Sequence, residues 1–229
     1  MLAKEYLKQI NELTSLMIGH SLSVAQNYPA LNENTGILYI AGEDLNLSIP
    51  QKNISFKEIY EVLDNESNYN IKLIDGGLVQ FNYFFDLKKD MLLKHRLAYF
   101  PSPYLETFQN ESEIYELDVL YADVIKKNIL PVPVRFDYDP KVNEGKDNVE
   151  FESIHPHSHV TFGQYENCRI AVSNFVSPII FMEFILKSFY GRFYYDTIFK
   201  KNNIFEKHHT IEKCISDFET KSLHLSINF

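Results

Sequence analysis

The segment His155-Pro-His-Ser-His159-Val-Thr161 carries three imidazoles at alternate positions. Imidazole changes charge near neutral pH and binds transition metals, so a cluster of this kind is the first place to look for chemistry. On an extended backbone, alternate side chains leave the same side, so His155, His157 and His159 are expected on one face of a strand. Two chemical readings of that face stay open. In one, the imidazoles hold zinc or manganese with Asp137 or Asp139 from the strand before. Side chains two apart on a strand splay by roughly 6–7 Å, which suits two ligands better than three. In the other, no cofactor is needed. His159-Val-Thr161 and His224-Leu-Ser226 share the form His, apolar, hydroxyl. The imidazole of such a pair moves a proton while the hydroxyl of Thr161 or Ser226 holds a phosphate oxygen, and two facing strands supply an acid and a base around one phosphodiester. The plain alternative is a strand whose histidines are solvated or hydrogen-bonded in place.

Arginine is scarce, with only Arg96, Arg135, Arg169 and Arg192, and three of the four lie around the histidine segment. Arg135 and Arg169 are expected to bind phosphate or carboxylate, since the guanidinium fork suits both, with His155 and His157 beside them. Cys168 lacks the glycines of a nucleophile elbow and, with Cys214 as the other thiol, supports neither a disulfide framework nor a zinc knot. Gly76-Gly77 belongs to a hairpin and not to a phosphate loop, so no nucleotide cofactor is implied. The net charge of −9 makes unspecific attraction to nucleic acid weak, so contact with RNA or a nucleotide must be local. Lys200, Lys201, Lys207, His208 and His209 form a small basic patch that reads as a solvated helix end or as a guide for a nucleic-acid backbone.

The elements that must position these residues read as an α+β chain. Leu2, Tyr6, Ile10, Leu13 and Met17 recur at helical spacing, predicting a long N-terminal helix that runs to about Gln26 and stops before Pro29. A buried strand is expected between Gly36 and Gly42, and Ser55 with Glu58 forms a capping box for a short second helix. Asp75-Gly76-Gly77 joins a hairpin ending near Phe85, Met91–Phe100 gives the next strand, and 105–129 reads as helical. Strands follow at 132–138, 157–162 and 168–172, with a polar loop at 139–148. Ser177-Pro178 opens an apolar helix to about Tyr190. Helical pieces run on to about Thr220, and Leu223–Phe229 reads as a terminal strand. The expectation is a single domain over 1–229, a mainly antiparallel sheet with helices packed on one face. No apolar run reaches the roughly 18–20 residues of a spanning helix, and the first residues do not read as a signal peptide, so the expected location is the cytoplasm and no membrane is implied.

Ile154–Gly163, Cys168-Arg-Ile170, Ser177-Pro178 and Phe181–Tyr190, with Arg135-Phe-Asp137 before them, resemble the signature of an uncharacterised bacterial family, domain of unknown function 2290. That resemblance implies no activity. The paired His-x-Thr and His-x-Ser also resemble the two-histidine phosphoesterases, which implies His159 and His224 as the catalytic pair with Thr161 and Ser226 on the phosphate. The order of Arg-x-Asp strand, His-rich strand and apolar helix is similar to some toxins of toxin–antitoxin pairs. The resulting expectation is a metal-independent, RNase-like or nucleotide-acting enzyme of a toxin or antiphage defence system. The alternative is a non-catalytic subunit that meets a protein partner, such as an antitoxin or another defence-complex subunit.

Overall fold

The computed structural model describes residues 1–40, 54–104, 132–141, 155–165, 168–195, 203–206 and 212–227. The helix expected within 105–129, most of the 139–148 loop and the basic patch at 200–209 lie outside the described residues. Among the described residues no helix is long and apolar enough to cross a membrane.

Helix α1 (Leu2–Gly19) buries Tyr6, Ile10, Leu13 and Met17 of the stripe that its spacing predicts, with Ala3 buried and Leu2 only half-buried at its start. It does not continue to Gln26. Ser21 takes a left-handed conformation with φ 57°, the chain reverses, and Ser23–Gln26 becomes strand β1. The apolar period has lapsed by then, and pairing with residues 71–73 decides the outcome. Among the described residues Pro29–Asn32 (β2) pairs only with Ile37–Ile40 (β3), an edge position where the missing proline N–H costs no ladder bond. Helix α2 (Phe56–Asn65) starts with the expected capping box, Ser55 and Glu58 each bonding the other's backbone N–H.

Strands β4 (Ile71–Leu73), β5 (Leu78–Asp86), β6 (Met91–Phe100), β7 (Val134–Tyr138), β8 (Ser158–Phe162), β9 (Ile170–Val172) and β10 (His224–Leu225) complete one ten-stranded sheet. Its order is β1-β4-β5-β6-β7-β8-β9-β10, with β3 on β5, and every pairing is antiparallel except β9 with β10. Between β4 and β5, Gly76 adopts φ 83°, and a Cβ on Gly77 would stand 2.9 Å from the Tyr99 ring, so both glycines are required.

Alternation along the strands separates two faces. Phe81, Tyr83, Leu97, Tyr99, Phe136 and Val160 join the main core, against which α1 and α3 (Pro178–Phe189) pack. Leu78, Ala98 and Phe100, the residues between them, form a second cluster with Ile59, Tyr60 and Leu63 of α2. The two long helices thus share one face, and α2 covers part of the other. The fold is α+β, with a mainly antiparallel sheet and an N-terminal helix.

Entry into α3 is fixed from the sheet. Val176 N–H donates to His95 Nε2 at 3.0 Å, and its carbonyl accepts from Tyr83 Oη at 3.0 Å, while His95 Nδ1–H donates to the Phe136 carbonyl at 3.2 Å. Ser177 then caps the helix by accepting from Ile180 N–H. His95 is wholly buried, and burial pushes it down to about 4 from its ordinary 6.5. Below pH 6.5 the unfolded chain takes up a proton that the folded chain refuses, so this contribution is complete above pH 6.5 and is lost as pH falls toward 4. We predict that His95→Gln costs about 1–3 kcal/mol at neutral pH, from buried groups left imperfectly paired. Urea unfolding across pH 4–7 should show a shallower acid slope in the variant; an unchanged slope would contradict this account.

Candidate functional site

The face of β6 to β9 that α1 and α3 do not cover carries the polar residues. Arg96 pairs in register with Asp137, Asp137 with His159, His159 with Ala171, and Ala171 with His224, a single row across five strands. Side chains directly opposite one another share a face, so the register alone brings Arg96, Asp137 and His159 together. Arg135 stands opposite Thr161 in the neighbouring row.

A cleft of about 220 Å³ opens over this row, lined by Arg96, Arg135, Asp137, His155, His157, His159 and Arg169 together with Lys94, His95, Tyr138 and Asp139. Asp137 Oδ1 accepts from Arg96 Nε at 2.7 Å, and its other oxygen lies 3.9 Å from His159 Nε2. Lys94 meets Asp139 at 2.7 Å. His159 Nδ1 lies 2.9 Å from the Pro156 carbonyl, which can only accept, so Nδ1 carries the proton and Nε2 offers its lone pair to the cleft. The His155 ring stands edge-on to that of His159, 5.0 Å between centroids. Arg135 Nε is buried with no hydrogen-bond partner.

The electrostatics follow from burial and from crowding of arginines. Burial pushes Asp137 up, but Arg96 and Arg135, the Arg96 hydrogen bond and His159 outweigh it, and the carboxyl lies below its ordinary value. Burial lowers Arg135, with Arg96 and Arg169 adding to the fall and Asp137 opposing it, yet a guanidinium remains charged. Burial pushes His159 down to about 4 against the pull of Asp137 and the Pro156 carbonyl, with His155 and Arg169 contributing to the decrease. At neutral pH His159 is an uncharged base.

Of the residues singled out from sequence, His155, His157, His159, Arg135 and Arg169 converge on one cleft, with Asp137 and Asp139 beside them. The strand itself begins at Ser158, so His155 and His157 reach the cleft from the turn before it. Thr161 is buried next to Arg135 and Ser226 is exposed past β10; neither lines the cleft. His224 occupies the row but lies two strands from His159, about 10 Å between α-carbons by strand spacing, with its Nδ1 on the Ser222 carbonyl. The ring in contact with His159 is therefore His155. Among the described residues no group of three His, Cys, Asp or Glu side chains is placed to hold a metal ion. Arg96 and Lys94 were not expected here; Arg96 being one of only four arginines was the available signal.

The family model described as Uncharacterized conserved protein (DUF2290) matches residues 22–227, from the end of α1 to the terminal strand. The chain belongs to this family. Comparison with curated proteins and with solved structures finds no match.

Arg96 and Asp137 side chains are 13% and 14% exposed, so the pair is mostly withdrawn from water. Arg96→Met leaves a buried carboxylate without its hydrogen-bonded cation and should cost about 3–5 kcal/mol. Arg96→Met with Asp137→Leu should recover most of that loss in denaturant unfolding, and additive losses would show that the two residues act separately.

Proposed function

We propose that the protein acts on a phosphate ester of RNA or of a nucleotide, with His159 as the base and Arg135 and Arg169 on the phosphate. The observation that carries this reading is the 2.9 Å contact of His159 Nδ1 with the Pro156 carbonyl, which assigns the proton to Nδ1 and leaves Nε2 as the acceptor of a residue lining the cleft, where Arg135 has a buried N–H still to satisfy. A base beside two guanidiniums is what ester cleavage requires: Nε2 takes the proton of the attacking hydroxyl or water, and the guanidiniums stabilise charge growing on the phosphoryl oxygens. His155, in ring contact with His159, is the nearer candidate to protonate the leaving oxygen, and His224, farther along the row, is the second. Cleavage of cellular RNA would suit a toxin or antiphage factor, a setting supported by the likeness of strand order noted above. The exposed Leu223 and Leu225 at the β9–β10 edge favour a second reading, in which a protein partner docks there and the cleft is structural.

The readings separate on activity. With RNA and mononucleotides as substrates, His159→Ala should lower the rate by about 10²–10⁴ and persist as a defect in a chelator-independent reaction, with little change in melting temperature. Comparing His155→Ala with His224→Ala identifies the acid. Full activity in His159→Ala would remove the catalytic reading.

A further inference from the structure

Charge accounting within the cleft narrows the ligand. Lys94 is neutralised by Asp139 and Arg96 by Asp137, each at 2.7 Å. Arg135 and Arg169 remain, and among the described residues neither forms an ion pair with a carboxylate. Their positive charges act on one another closely enough that Arg169 lowers the Arg135 pKa. Two cations converging on one opening match a dianion. A phosphate monoester near neutral pH carries about −1.5 to −2 and three free oxygens, whereas a linking phosphodiester carries one charge and two free oxygens.

We infer that the cleft is built for a phosphate monoester, as on a mononucleotide or at the end of an RNA strand, and not for an internal phosphodiester. The inference rests on the reading above that the cleft holds a phosphate ester. It also specifies the step. Water oxygen bonds to phosphorus as its proton passes to His159 Nε2; the P–O bond to the sugar breaks, and the departing oxygen keeps the electron pair and takes a proton from His155. The products are an alcohol and inorganic phosphate, and proton exchange with solvent restores both imidazoles.

Calorimetry on the full chain at about pH 7.5 tests this with probes that cannot be hydrolysed. One pair is the phosphonate analogue of adenosine monophosphate, with a methylene in place of the ester oxygen, and the methyl ester of that phosphonate, which carries a single charge. The other is a trinucleotide with a 5′-phosphonate and the same trinucleotide with a 5′-hydroxyl. The dianion should bind roughly tenfold or more tighter than its methyl ester, as expected for a charge-assisted contact, and Arg135→Met should remove most of the difference. Should that variant fail to fold, Arg169→Met should do the same. Tighter binding of the trinucleotide assigns the RNA end, and tighter binding of the mononucleotide assigns the free nucleotide. Equal binding of dianion and methyl ester, or a difference that survives both variants, overturns the inference. If His159→Ala still abolishes RNA cleavage in that case, the proposed function stands without it. If no probe binds, both fall.

Discussion

The site depends on keeping one carboxylate charged beneath the surface of a sheet. Asp137 stands between Arg96 and His159 in the row that crosses β6, β7 and β8, where burial alone would raise its pKa. Asp75 shows the outcome without a guanidinium in the same molecule. It is buried with Tyr190 Oη and the Gly77 N–H as its hydrogen-bond donors, and burial raises it. Asp137 differs by having Arg96 at 2.7 Å and Arg135 nearby. Its retained charge offsets one guanidinium, allowing three arginines to share a small volume.

Local chemistry made much of the sheet legible. The glycine turn after Asp75, the alternation of Met91–Phe100 and the caps at Ser55 and Ser177 each act over a few residues, and each appears where its pattern predicts. The end of α1 depends instead on β1 finding β4, some distance along the chain, with Ser21 turning the backbone between. No local pattern encodes such a partner. The same reason hides β2, which exists through pairing with β3.

The site divides along similar lines. Alternating histidines and the Arg-Phe-Asp run at 135–137 announced most of the cleft, because period two and residue type are visible in a single strand. Arg96 joins them only through the register of β6 on β7, which is a property of two strands together. His224 shows the converse: its motif is visible in the sequence, but its strand does not face that of His159, and β9 stands between the two.

Glu219 ties the end of the chain to this arrangement. Its buried carboxylate accepts from the His157 N–H at 3.2 Å and from the Ser216 N–H at 2.6 Å, and β10 begins a few residues later as a two-residue strand at the sheet's edge. Short edge elements are where native proteins open most often on the way to hydrogen exchange. Because the Glu219 turn holds both the Ser216 N–H and the His157 N–H, fraying of this edge would loosen the histidine segment with it.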